Sequence, residues 1–309
     1  MLSRTAENLY WLSRYIERAD STARLLEMGR RMAMLPGANE QDEWRSVVLA
    51  SGTEIAPDLT DRITEAQAIT QLLLALDNPS SIRSCLAQAR ANGRAIRTAL
   101  TQDMWEALND GWRRLDTVDA RTASRDLPTL IDWVKTRAAV LRGAADTGML
   151  RNDAFDFYRL GNHLERADMM LRLLDVKYYV LLPETEAIGG GRDHYQWTSV
   201  LHANSAIRAY HHVYVGDYTP WKIADFLILN AAFPRSLAYS YARIGESLDH
   251  LSRRYGQRHA CHRLAGDING RLAGLEMGEI FHQGLHEFVS ETIKLNTQLS
   301  TEIANAYHF

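Results

Sequence analysis

Apolar residues recur at intervals of three and four along nearly the whole chain, as in Leu12, Ile16, Ala19, Ala23 and Leu26, while period-two runs rich in Val, Ile and Thr are scarce. The pattern predicts helices over 3–34, 42–51, 61–76, 79–100, 102–112, 123–145, 152–181, 195–215, 221–229, 234–255, 259–275 and 279–306, and no strand. Prolines fall mostly between these segments. Asn78 followed by Pro79 reads as a helix cap with proline at the first helical position, and Pro234 repeats the device. Pro183 and the Gly189-Gly190-Gly191 run read as a flexible connection.

The pattern also repeats itself. With an offset of 148, Tyr10, Leu12, Glu17, Arg18, Ala19, Asp20, Arg24, Leu25 and Leu26 return as Tyr158, Leu160, Glu165, Arg166, Ala167, Asp168, Arg172, Leu173 and Leu174, nine identities in eighteen positions. Further on, Trp44, Ser46 and Val47 answer Trp197, Ser199 and Val200, and Pro79 and Ser81 answer Pro234 and Ser236. The expected architecture is an all-α, internally duplicated bundle. Its halves, 1–148 and 149–309, are related by an approximate twofold and together form one compact domain.

On the repeated helix, Tyr10, Glu17 and Arg24 stand seven apart and Asp20 lies within about 60° of them, so one polar arc runs beside the apolar stripe. The identities between copies include this arc. In one account Glu17 with Arg24, or Asp20 with Arg24, forms a semi-buried ion-pair network, mirrored by Glu165, Asp168 and Arg172, that fixes register. In the other, four carboxylates and Arg18, Arg24, Arg166 and Arg172 line one cleft. That cleft would bind a carboxylate or zwitterionic ligand, with Glu17 or Glu165 as a general base and Tyr10 and Tyr158 beside them.

Composition removes several functions. Among 309 residues, 46% are hydrophobic and 24% charged, and the formal charge of −3 is spread without a basic stripe, which argues against nucleic acid. No apolar run approaches the roughly 18 residues that span a bilayer, and the first residues lack a signal-peptide core, so a cytoplasmic protein is expected. Cys85 and Cys261 read as buried thiols. There is no GxSxG elbow and no GxxxxGK[ST] phosphate loop, and the carboxylates lack the Glu-x-x-His pairs of di-iron bundles. Glu279, His282 and His286 at i, i+3 and i+7 are weighed as metal ligands, but a polar helix face is preferred, as it is for His202, His211 and His212; no metal or cofactor is expected. The seven tryptophans read as core residues with their indole N–H groups satisfied.

The opening MLSRTAENLYWLSRYIERADSTARLLEM, the second Leu164-Glu165-Arg166-Ala167-Asp168, Met104-Trp105-Glu106-Ala107-Leu108-Asn109 and Gly284-Leu285-His286-Glu287-Phe288 resemble the bacterial alpha-E family, an all-helical domain named for its Glu-Arg motif. The chain departs from that pattern where Asp20 and Ser21 replace a glutamate and an asparagine, and where Asn162 replaces an arginine. The family resemblance implies neighbours: circularly permuted ATP-grasp amidoligase-like proteins, transglutaminase-like peptidases and the peptidase Anbu. The leading expectation is a noncatalytic or substrate-presenting partner of the ATP-grasp protein in peptide or amino-acid amide metabolism, with His286 and Glu287 as candidate partner-facing residues. The alternatives are an amide-bond hydrolase or transferase in its own right, and a structural assembly subunit.

Overall fold

In the computed structural model, which describes residues 1–35, 39–53, 62–179 and 191–309, every regular element is helical. The first half runs α1 (Ser3–Ala33), α2 (Glu40–Ala50), α3 (Glu65–Ile69), α4 (Ile82–Ala95), α5 (Gln102–Asp116), α6 (Ala120–Arg125) and α7 (Leu127–Gly148). The second runs α8 (Asp153–Tyr179), α9 (Gly191–Ala203), α10 (Ile207–Tyr214), α11 (Pro220–Ile228), α12 (Leu237–Tyr255), α13 (Ala260–Gly274), α14 (Met277–Gln283) and α15 (Leu285–Tyr307). The boundary drawn at 148/149 falls between α7 and α8.

The two long repeated helices, α1 and α8, pack on each other at the centre; α1 also meets α2, α4, α7 and α9, and α8 meets α2, α9, α12 and α15. Leu9, Leu12, Ile16, Ala23 and Leu26 from α1 and Phe157, Leu160, Leu164, Leu171 and Leu174 from α8 belong to one continuous core. Gly161 permits the close crossing, since a Cβ there would collide with the carbonyl oxygen of Tyr10 and the hydroxyl of Ser13. Because both helices are surrounded, Tyr10, Glu17, Asp20 and Arg24 of α1 and Tyr158 and Glu165 of α8 are buried along with the apolar stripes, while Asp168 and Arg172 are half-buried.

Several boundaries differ from the sequence expectation for identifiable reasons. The caps before α4 and α12 are Ser81 and Ser236, which accept the amides of Ser84 and Tyr239; each serine also donates to a carbonyl six residues back, Ala75 or Asn230. Asn78 instead holds a turn through the amide of Ser80, so neither Pro79 nor Pro234 opens a helix. The stretch 123–145 divides into α6 and α7, with Pro128 in the first turn of the latter. The stretch 195–215 divides at Ser205, in the left-handed region at φ 54°, and 279–306 breaks at Gly284, φ 106°. The stretch 79–100 ends earlier, with α4 stopping at Ala95 before a short 3₁₀ turn, while α5 continues past 112 to Asp116. Pro183, Gly189, Gly190 and the starting residue expected for the third helix, Asp61, lie outside the described residues, and Gly191 opens α9.

Candidate functional site

Where α1 crosses α8, the two Glu-Arg motifs pair with each other rather than within themselves. Arg166 donates from Nε and Nη2 to Glu17 at 2.8 and 3.0 Å, and Arg18 donates from Nε and Nη2 to Glu165, the second contact at 3.0 Å. Both pairs are forked contacts, the geometry that makes guanidinium–carboxylate recognition strong and directional.

Each carboxylate gathers further donors. Glu17 accepts Arg142 Nη1 at 2.9 Å and Asn162 Nδ2 at 2.8 Å, with Arg235 at 3.4 Å; Glu165 accepts Arg14 Nε at 2.8 Å. Neither glutamate is more than 1% exposed. Burial alone would raise their pKa values, but Arg166 and Arg142 hold Glu17 well below the usual carboxylate range, and Arg18 and Arg14 hold Glu165 at about 2. Both are fixed anions; the acceptor sites of Glu17 are filled, and Glu165 accepts three donors.

Asp20 extends the first cluster, accepting Arg235 Nη2 at 2.8 Å and Arg142 Nη1 at 3.2 Å and lying 3.3 Å from Arg24. Four guanidiniums thus surround two carboxylates. The surplus shows at Arg235, which burial, with Arg24 and Arg166 close by, brings down to about 10 against the pull of Asp20 and Glu17. Arg24 turns its Nη1 to the carbonyl of Ala203 at 2.6 Å and the hydroxyl of Ser205 at 3.0 Å, closing the C-terminal end of α9. Its counterpart Arg172 pairs with Asp168 at 2.6 Å and lies against Gly52, just past α2, where a Cβ would collide with the guanidinium.

The single four-arginine cleft does not form. Of Arg18, Arg24, Arg166 and Arg172, only Arg166 lines the cleft beside the first cluster, because the crossed pairing sends Arg18 to Glu165 and the helix-end contacts occupy the other two. Glu17 and Arg24 do not pair, whereas Asp20 and Arg24 do. Tyr10 faces α15, sharing a 2.8 Å hydrogen bond with Ser300 and accepting Arg14 Nη1. His286 sits 2.7 Å from Asp175 of α8, while Glu287 is exposed. The break at Gly284 puts Glu279 and His282 on a different helix from His286, and no group of three metal-ligating side chains occurs among the described residues.

Both cysteines are buried, with the Cys85 thiol pushed up to about 12 by burial. Trp44 is in the core, yet its indole nitrogen has no hydrogen-bond partner among the described residues, and Trp221 is exposed, stacked on Phe281.

Arg14, Arg142, Arg235 and Asn162 join the site without having been singled out as site residues. For Asn162 a signal existed: it stands 148 residues after Arg14, and the two donate to the opposite glutamates in the same manner. The loss of a basic contact expected from Asn162 is made good by Arg142, reaching in from α7. No pattern in the sequence marks Arg142 or Arg235, which arrive from elements far along the chain.

Beside the Glu17 cluster lies an open cleft of about 610 Å³ between α7, α8 and α12. Arg142 and Arg166 line it together with Asn162, Tyr158 and His163. The Tyr158 hydroxyl and His163 Nδ1 are buried and have no hydrogen-bond partner among the described residues. Burial, Arg166 and Arg159 hold His163 well below its ordinary value, so the ring is neutral at pH 7.

The chain matches the model of the Alpha-E family, described as a predicted alpha-helical domain with a conserved ER motif, over residues 1–308, and it belongs to that family. The E and R of that motif fit the residues found at the crossing. An uncharacterized protein of Mycobacterium bovis is 25% identical over 318 residues, covering 94% of this chain and 35% of that protein; an uncharacterized protein of Mycobacterium tuberculosis H37Rv is 24% identical with the same coverage. The chain therefore spans about a third of the length of these curated relatives. No solved structure matches.

Proposed function

We propose that this chain is a noncatalytic, substrate-presenting partner of an ATP-grasp amidoligase-like protein, acting in the synthesis or processing of a peptide or amino-acid amide. The observation that carries the noncatalytic half is the burial of Glu17 and Glu165 in forked arginine pairs that hold both ionised. A general base needs an open lone pair and a pKa near the working pH; both glutamates are buried anions, with pKa values held low by arginines that already occupy their oxygens. A hydrolase or transferase built on either carboxylate is the weaker reading for that reason.

The partner half rests on the family resemblance and on the length of the relatives, two thirds of which lies outside the matched region. It includes a transglutaminase-like or Anbu-type peptidase as a further associate and a cytoplasmic setting, consistent with the absence, among the described residues, of any helix long and apolar enough to cross a membrane. The repeat and the reciprocal Glu17–Arg166 and Glu165–Arg18 pairs support an origin by duplication, with two halves about an approximate twofold joined in one domain.

The test is reconstitution. The purified chain is added to a purified ATP-grasp amidoligase-like protein, and ADP release and amide formation are followed with amino-acid acceptors. The proposal expects a complex and a changed rate or acceptor preference, with no amide hydrolysis by the chain alone. Hydrolysis by the chain alone, or neither complex nor effect, would overturn it.

A further inference from the structure

The cleft beside the Glu17 cluster has the composition of a binding site. Its inner wall carries Arg142 and Arg166, two of the four guanidiniums that surround Glu17 and Asp20, and Arg142 reaches those carboxylates through Nη1 alone. Its Nε and Nη2 have no partner among the described residues. Two buried polar atoms of that wall, the Tyr158 hydroxyl and His163 Nδ1, are also unpartnered, which native interiors rarely tolerate unless a ligand or water satisfies them. Tyr158 is 4% exposed and His163 8%.

Neither atom belongs to the ion-pair network, and neither is needed to hold the α1–α8 crossing. The mouth is mixed in charge: Asp146 and Asp156 give it carboxylates, Arg151 and Arg159 give it guanidiniums, and Phe155 and Tyr239 give it aromatic walls. Those carboxylates are not idle, because Arg151 contacts Asp146 at 3.1 Å and His250 lies 3.2 Å from Asp156.

We infer that this cleft binds an amino acid or short peptide by its free carboxylate. The carboxylate contacts Arg142, the Tyr158 hydroxyl and His163, and the ligand's ammonium end lies toward Asp146 and Asp156 at the mouth. Guanidinium, phenol and neutral imidazole together make a donor set suited to a planar anion. A volume of about 610 Å³ lies within the range of small-ligand sites. Both atoms lie just behind the cleft surface, so the ligand reaches them as the side chains lining the cleft shift. The inference is independent of any ligase partner.

Titration calorimetry of the whole chain with L-alanyl-L-alanine, its C-terminal amide and inorganic phosphate tests it. The expected result is saturable binding of the dipeptide, abolished by amidation, with no binding of phosphate. Tyr158→Phe should weaken dipeptide binding by about tenfold or more, the worth of a hydrogen bond to a charged group, while its melting temperature stays at the parent value because the hydroxyl has no partner to lose. Arg159→Gln, at the cleft edge, should weaken binding more modestly and serves should Tyr158→Phe misfold. Absence of saturable dipeptide binding, binding of phosphate alone, equal binding of the amide, or unchanged affinity in both variants would overturn the assignment.

Discussion

Replacing Glu17 by glutamine changes one oxygen to an amide and nothing in volume, yet it strikes the most connected group in the molecule. The native carboxylate accepts from Arg166, Arg142 and Asn162 and has Arg235 at 3.4 Å. In Glu17→Gln the new NH₂ points donors at donors, and Asp20 is left as the one carboxylate among four guanidiniums. Removing one partner of a buried ion pair costs about 3–5 kcal/mol, because the remaining charges stay desolvated. An unfolding entropy of about 2.1 cal/mol/K per residue scales to roughly 0.65 kcal/mol/K for this chain, so the melting temperature should fall by roughly 5–8 °C. Differential scanning calorimetry at pH 7 reads this directly. Far-ultraviolet circular dichroism of the folded variant should match the parent, since no helix depends on the residue for its cap. A variant that melts within about 1 °C of the parent would refute the reasoning, because it would mean that the arginines are stable without the charge.

Three further outcomes follow from the same contacts. Glu165 has a folded pKa of about 2, below its unfolded value, so its contribution to stability is complete above about pH 4.5 and is lost as the pH falls toward 2; Glu165→Gln should show a flatter acid limb in pH-dependent urea melts. His163 is also depressed in the folded state, so the unfolded chain binds the extra proton and stability drops as the pH falls below about 6.5; His163→Phe should remove that part of the slope. Gly161→Ala should destabilise by about 1–3 kcal/mol or more in urea denaturation, because its methyl meets the Tyr10 backbone, whereas Gly266→Ala in α13, with open space at its Cβ, should be neutral or stabilising by about 0.5–1 kcal/mol.

Much of the helical layout is legible in the chain because apolar spacing is a local signal, and α1, α12 and α13 end within about one residue of where the spacing stops. The breaks inside 123–145, 195–215 and 279–306 are less visible. The break after α9 is fixed by Arg24 arriving from α1 to take the carbonyl of Ala203, a tertiary contact that no local pattern announces. Likewise the repeated polar arc singled out Glu17, Asp20 and Glu165 but left a semi-buried network and a ligand cleft as alternatives. Helical spacing, however, suggests partners on the same helix, and the partners actually come from across the crossing. The offset of 148 pairs Arg14 with Asn162 and so already held one of the missing contacts; Arg142 and Arg235 required the fold.

The measurement that bears most directly on the central claim is a ¹³C NMR titration of the glutamate side-chain carboxyls, with Glu17 and Glu165 assigned by their Gln variants. If the crossed Glu-Arg pairs are fixed structural anions in a noncatalytic chain, both resonances stay at their ionised positions from pH 8 down to about 4, with Glu165 moving only as the pH approaches about 2. A carboxyl at either position that titrates between about pH 5 and 7 would be poised as an acid or base, and would contradict the account.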